Sequence, residues 1–460
     1  MPIMLIRTSA LASGAFILGV LSAACSSAPE EAPAGVAPSA DHGLSGKQLF
    51  ENPLSGTNGR ACATCHVASD NLPLTPAHVS ALYAQNPNDP LFNRIDADDP
   101  TAAVPTFDHL KAGLVRVTLK LAGNLDVVDG NGNVITKADR TIDVWRGVPS
   151  VNDVAYTAPY QYDGRALTLE QQADGALHAH SQIDHEPSAE ELDAIAKFQS
   201  KLFSSNAAKK VAHDVDHGRT PAPVDLRFPH GSDEAAGQAL FLQVCAQCHG
   251  TGTTNTITNK TVENNFFPVQ HADGTIDYSG FTAGGVAIPT TFRQDLAFPT
   301  NMGTYGISAL TLFAQLGIAP TALPDTLGVP LPRYRLRFYT DASRTQKLMD
   351  LPPPPPAIGV SLVPEPFSVD PGRAIISGDP YDWEGFDVPQ LRGIASTAPY
   401  FHDNSEPDLH AVIDLYSRFV LQAVPALNLP PTNPPEAPGL PPEVFSPAQK
   451  AQMFAFLQQL

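Results

Sequence analysis

The chain has 460 residues, and its 28 lysines and arginines face 47 aspartates and glutamates, for a formal net charge of −19. Such an excess of acid argues against non-specific nucleic-acid binding and reads as a solvated acidic surface, the alternative being a face that attracts a basic partner. The 45 prolines, 33 glycines and 43% hydrophobic content predict a globular protein of short helices and long ordered loops.

Residues 1–24 carry one early cation, Arg7, then an apolar run from Leu11 to Leu21 and small residues before Cys25. This is the pattern of a secretory signal peptide, too short and too rich in Ala, Gly and Ser for a lasting membrane span. Leu21-Ser-Ala-Ala-Cys25 is similar to a bacterial lipobox with its large apolar residue one place early. Cys25 is therefore expected to be a lipidated first residue; the alternative is an ordinary signal peptide with an incidental cysteine. Both readings place the chain in the periplasm, the first with a lipid anchor on the outer membrane. Residues 25–43, rich in Ala, Pro, Ser and Glu, read as a flexible tether.

Cys62-Ala-Thr-Cys65-His66 and Cys245-Ala-Gln-Cys248-His249 each form a Cys-x-x-Cys-His run, the attachment signature of a c-type haem. Two thiols one short turn apart can add to the porphyrin edge, and the adjacent histidine can reach the iron. A zinc ribbon lacks a histidine directly after each pair, and a thioredoxin-like site has one pair in a βαβ context. Two covalently bound haem c groups are expected, with His66 and His249 as iron ligands.

Around these motifs the chain repeats itself. Gly46-Lys-Gln-Leu-Phe50 precedes the first motif and Gly237-Gln-Ala-Leu-Phe241 the second. Val115 to Leu121 alternates apolar and polar residues before a turn at Asp129-Gly-Asn-Gly132, which predicts a small β-hairpin. Val148-Pro149, Thr157-Ala-Pro-Tyr160 and Tyr162-Asp-Gly164 return as Val388-Pro389, Thr397-Ala-Pro-Tyr400 and His402-Asp-Asn404, at a constant offset of 240 (388 − 148). Each unit closes on a capped helix, begun by Ser188-Ala-Glu-Glu191 and by Ser446-Pro-Ala-Gln449. The predicted fold class is mainly α: two cytochrome c-like haem domains with long loops and a small hairpin insertion. The first domain spans residues 44–204, the linker 205–232 and the second domain 233–460. An insertion at about 255–370 includes the run Pro352 to Pro356, read as an extended spacer.

Taken together, these motifs resemble the bacterial diheme cytochrome c peroxidase family, which includes the maturation enzyme of methylamine dehydrogenase. The resemblance covers both units. It implies a first haem that meets hydrogen peroxide and a second that relays electrons from a small redox protein or other donor. It implies a distal ligand for the second haem at Tyr416, seventeen residues after Pro399, where family peroxidases usually have methionine and the maturation enzyme has tyrosine. A phenolate there would stabilise ferric iron. Met302 and Met349 are weaker alternatives. Tyr162 stands where the family has an inter-haem tryptophan, followed by Asp163-Gly164-Arg165. Gln172 matches the distal glutamine, with Arg165 assisting electrostatically or holding structure. Gln182 stands where the family has a proton-moving glutamate. An amide cannot act as a general acid–base at neutral pH, so peroxidase chemistry here would need its proton from another group. His178, His180, Asp184, His185 and Glu186 surround Gln182 and offer substitutes. The family's inter-domain calcium would use the Thr397 and Pro399 carbonyls, but its asparagine position is Gly147, so that site is weakly supported.

Three functions follow from these residues. The leading one is a diheme peroxidase-type oxidoreductase. The others are a non-catalytic electron carrier with two closed haems, favoured by Gln182 and the histidine cluster, and a specialised oxidase or oxygenase, favoured by Tyr416.

Overall fold

In chain order the helices are α1 (Gly46–Glu51), α2 (Cys62–Cys65), α3 (Pro76–Gln85), α4 (Asp108–Lys111), α5 (Leu169–Ala179), α6 (Ala189–Gln199), α7 (Asn206–Asp216), α8 (Asp233–Val244), α9 (Ala246–His249), α10 (Ala374–Ser377), α11 (Leu409–Leu415) and α12 (Pro447–Leu457). The computed structural model describes residues 41, 43–222, 224, 226–250, 331–349, 368–378, 385–387, 389–421, 429–435 and 442–460, with four two-residue strand pieces between 269 and 287. The expected signal peptide, Cys25, most of the tether, Met302, the Pro352 to Pro356 run and Val388 lie outside the described residues, as does most of the 255–370 insertion.

The same helix crossing occurs twice. Helix α1 starts at a capping box of Ser45 and Gln48, and α6 at one of Ser188 and Glu191. They cross so closely that a Cβ on Gly46 would stand 1.9 Å from the carbonyl oxygen of Ala194. Helices α8 and α12 repeat this arrangement. The Ser446–Gln449 capping box with proline in the first turn starts α12. A Cβ on Gly237 would stand 2.0 Å from the carbonyl oxygen of Gln452. The aromatic contacts also match, with Phe50 against Phe198 and Phe241 against Phe456, both with ring centroids 5.2 Å apart. The repeated glycine is thus the residue that lets two backbones touch.

The turn segments repeat as well. Tyr160 donates its hydroxyl to the Val154 carbonyl at 3.0 Å, and Tyr400 donates to the Ile394 carbonyl at 2.7 Å. Gln161 and Phe401 share a left-handed backbone, with φ of 71° and 69°.

Between these helical frames lie small sheets. β1 (Leu114–Lys120) pairs antiparallel with β3 (Thr141–Gly147), from Leu114 opposite Gly147 to Lys120 opposite Thr141. β2 (Leu125–Val128) pairs antiparallel with β8 (Arg335–Tyr339), which pairs with β9 (Lys347–Met349); the pieces β4 to β7 are Val269–Gln270, Ile276–Asp277, Thr282–Ala283 and Val286–Ala287. The expected hairpin is therefore larger than its alternating pattern suggested. β2 is buried at all four positions, so it carries no alternation to betray it. Leu110, Leu125, Ile142, Val144, Leu336 and Phe338 form the core around these strands.

Part of the expected linker is helical. Ser205 caps α7, whose Ala208, Val211 and Ala212 are buried, and Val211 and Ala212 pack with Tyr156. The charged residues on its outer face hide that apolar stripe in the sequence. Polar bonds join the repeats: Arg146 clasps Asp370 at 2.6 and 3.0 Å, and the Gly147 amide donates to the His402 carbonyl at 2.6 Å. Among the described residues, no helix is long and apolar enough to cross a membrane.

Candidate functional site

At the end of α8 the chain makes one more turn, α9, so that the His249 amide donates to the Cys245 carbonyl at 2.9 Å. This places the imidazole of His249, 6% exposed, under the turn that follows Val388. Its Nδ1–H donates to the Pro389 carbonyl at 3.0 Å. That bond fixes the tautomer and leaves Nε2 with its lone pair for a metal. Burial pulls the ring's pKa down to about 4, against a small opposing effect of the Pro389 bond, so the imidazole is neutral at pH 7.

His249, Cys245 and Tyr416 line one cavity of about 450 Å³, with apolar walls that include Phe241, Leu409 and Met453. Its size lies within the range of about 300–1,000 Å³ usual for cofactor pockets. The rings of His249 and Tyr416 face each other across it, with centroids 6.5 Å apart. Tyr416 stands where α11 gives way to a π turn, Tyr416–Val420, an irregularity common beside functional sites. A buried charge network holds this turn. Glu443 accepts from Arg418 at 2.9 Å and from Lys450 at 2.6 Å, and Lys450 also reaches Asp414 at 2.9 Å. The thiol, neutral imidazole, phenol and apolar walls together fit a haem.

The first motif is built in the same way. Helix α2 is closed by the Cys62 carbonyl, which accepts from the His66 amide at 2.9 Å. His66 Nδ1–H donates to the Leu72 carbonyl at 3.0 Å, with the Pro149 carbonyl as a second partner. Each Val-Pro turn thus brings a proline carbonyl to its motif histidine, as a 3.0 Å acceptor at Pro389 and as a further influence on the ring at Pro149. Burial pushes the Cys62 thiol up to about 12 and the Cys65 thiol up to about 11. Neither is the reactive thiolate of a redox Cys-x-x-Cys site. Just before the motif, Arg60 is buried and bridged to Asp96 at 2.6 Å.

The residues expected around the first haem divide. Gln172 is half-buried on α5. Gln182 is exposed, in a left-handed backbone at φ 50°, and its amide oxygen accepts from Asn58 at 3.1 Å. His178 is also exposed, between Asp174 at 3.3 Å and Glu186 at 3.7 Å. Asp184 and Glu186 are exposed and His185 half-buried, with His185 Nδ1 3.0 Å from Asp184. His180 differs. Its carbonyl accepts from Asn58 at 3.0 Å, which ties it to the segment leading into Cys62. Burial lowers its pKa, and the charged neighbours that act on it are Asp96, Arg60, Arg165 and His66. His180 is half-buried, and the charges acting on it belong to residues around the first motif.

Between the two motifs lie Tyr162 and Asp163. The Asp163 carboxylate accepts from Arg146 at 2.6 Å and from Arg165 at 2.8 Å. Burial alone would raise its pKa, but Arg165 and Arg146 outweigh it and hold the carboxyl well below the usual range. Arg165 thus braces the turn after Tyr162. Tyr162 itself lines the cavity of the second site. The sequence reading missed Arg146, Glu443 and the place of His402; of these only His402 carried a signal, its offset of 240 from Tyr162 (402 − 162). At the expected calcium position, a Cβ on Gly147 would stand 2.3 Å from Asn404 Oδ1, so the Asn404 amide fills the space a side chain there would need.

Residues 44–213 match the family described as Di-haem cytochrome c peroxidase, so the resemblance read from the motifs is shown over that stretch. The chain is also similar to a crystal structure described as that of a MauG-like protein associated with microbial copper homeostasis, at 16% identity and a TM-score of 0.37, over 90% of this chain and 86% of that one. No curated protein matches the chain.

Proposed function

With residues 44–213 matching the di-haem cytochrome c peroxidase family as the premise, we propose that the protein is a periplasmic diheme c-type oxidoreductase. In this reading it reduces hydrogen peroxide at the first haem, with electrons entering through the second from a small redox protein. The observation that carries the reading is the shared build of the two sites, each with a motif histidine whose Nδ1–H is anchored on a backbone carbonyl. Cys62 and Cys65, and Cys245 and Cys248, would attach the two groups covalently within cytochrome c-like domains. His66 would ligate the first iron, and His249 and Tyr416 the second. A bound haem supplies a redox-active iron; the chain supplies its orientation, its ligands and the handling of protons.

Peroxide reduction consumes protons as well as electrons, and the amide of Gln182 can supply none. His180 takes that role in this reading: its backbone is tied through Asn58 to the segment leading into Cys62, and Asp96, Arg60 and His66 are among the charges acting on its ring. Gln172 would contact the bound peroxide. Cys25 would carry the lipid anchor, which mass spectrometry of the N-terminal peptide would detect.

The same placement of His180 favours a second reading, in which His180 ligates the first iron and the protein only carries electrons. Absorption and electron paramagnetic resonance of the ferric protein, before and after one equivalent of peroxide, separate the two. A high-spin ferric signal that peroxide consumes supports the peroxidase reading. Two low-spin haems indifferent to peroxide overturn it. Tyr416→Met is expected to raise the potential of the second haem, and an unchanged potential removes Tyr416 from the ligand sphere.

A further inference from the structure

Tyr162 and His402 occupy equivalent places in the two repeats, and they meet. Their ring centroids are 6.3 Å apart and their planes stand at 77°. Tyr162 lines the cavity of the second site, and its neighbour Asp163 accepts from Arg165, one of the charges acting on His180. His402 is 2% exposed, and neither of its ring nitrogens has a hydrogen-bond partner. Phe386 stacks on its ring with centroids 4.2 Å apart. A fully buried imidazole with both nitrogens unsatisfied is costly, and such groups in folded proteins call for an explanation.

We infer that His402 is the proton acceptor for Tyr162 when Tyr162 relays electrons between the two haem sites. The inference rests on the diheme reading above. A phenol can pass an electron at neutral pH only if its proton has somewhere to go. Tyr162 would give up one electron toward the first site, where a haem held by His66 would supply the oxidant. The Oη–H bond breaks, and an N–H bond forms on His402, giving a neutral tyrosyl radical beside an imidazolium. A bridging water would carry the proton, because neither ring nitrogen of His402 has a hydrogen-bond partner in the protein. Tyr162 would then regain one electron from the second site, where a haem held by His249 would supply it, and its proton from His402.

The charged surroundings suit this exchange. Asp403, the next residue along, has a carboxylate oxygen 4.0 Å from His402 Nδ1, and Asp370, from the segment before α10, has one 4.0 Å from Nε2. Both compensate a transient imidazolium. Arg146, from β3, opposes it but is already paired with Asp370 and Asp163 at 2.6 Å each. Arg146 and Asp403 are also the charges acting on Tyr162. Burial holds His402 below the ordinary histidine pKa and so disfavours the imidazolium, an effect that Asp403 and Asp370 oppose.

The test follows oxidation of the reduced second haem by rapid absorbance in the full holoprotein, in H₂O and D₂O. Oxidant is supplied either by peroxide or by a flash-generated ruthenium(III) complex, so that a failure of peroxide chemistry still leaves the relay measurable. The wild type is expected to show a solvent isotope effect above unity. His402→Gln should slow the transfer by at least about tenfold. Tyr162→Phe should slow it and abolish the isotope effect, which holds whether or not the His402 variant folds. Tyr162→Trp, whose ring can pass an electron without a coupled proton, should make the rate insensitive to His402→Gln. An unchanged rate in His402→Gln overturns the inference. So does an equal slowing of both backgrounds, which would make His402 merely structural.

Discussion

A methyl group on Gly237 would stand 2.0 Å from the carbonyl oxygen of Gln452. Helix propensity alone would favour alanine there by about 1 kcal/mol. The obstacle, however, is backbone, which can yield only if α8 and α12 move apart, and overpacking of this kind costs about 1–3 kcal/mol. Gly237→Ala, and Gly46→Ala against the Ala194 carbonyl, are therefore expected to destabilise the holoprotein in urea unfolding. Gly175 is the control. It lies on α5 with nothing within 4 Å of its would-be Cβ, so Gly175→Ala is expected to stabilise, by up to about 1 kcal/mol. Stabilisation of all three variants alike would contradict the tight crossing.

Glu443 is 1% exposed and lies between Arg418 and Lys450, which join α11 and its π turn to α12. Glu443→Gln removes the negative charge those two cations share. Breaking a buried pair costs about 3–5 kcal/mol, but Asp414 still serves both cations, so a loss of about 2–4 kcal/mol is expected. Arg418 is two residues from Tyr416, so under the proposed diheme reading the absorption spectrum of a haem held at His249 and Tyr416 should change with the stability. A normal spectrum at reduced stability would separate the network from the positioning of Tyr416.

The elements legible in the sequence were those written in local chemistry. The two Cys-x-x-Cys-His runs, the capping boxes at Ser188 and Ser446 and the Val-Pro and Ala-Pro-Tyr repeats needed no tertiary information. The repeated glycines were visible, but their reason, a helix crossing, involves residues more than a hundred positions away. β2 was missed because it is buried on both faces and so shows no alternation, and α7 because its small apolar stripe lies among lysines and aspartates. At the site, spacing alone left His178 and His180 equivalent. Only the fold shows that His178 faces Asp174 and Glu186 at the surface, while His180 is half-buried with its carbonyl bonded to Asn58, just ahead of the first motif. Arg146 was illegible for the same reason: its partners, Asp163 and Asp370, come from two different repeats.

Glu406 gives the stability a pH dependence of defined sign. Burial, together with Asp403, Asp408 and Asp414, pushes its carboxyl up to about 7, with Arg418 opposing. The folded protein therefore holds a proton at Glu406 that the unfolded chain has released above its ordinary value of 4.5. Between those two values the folded state binds more protons than the unfolded, so stability falls as pH rises, and the loss is complete above about pH 7. Because the side chain is partly open to solvent, screening reduces the effect to about 1–2 kcal/mol. Glu406→Gln should match the wild type in urea unfolding at pH 4, where both side chains are uncharged. It should exceed the wild type by that margin at pH 8. Parallel stability curves across this range would show that Glu406 is ionised at no cost in the folded protein.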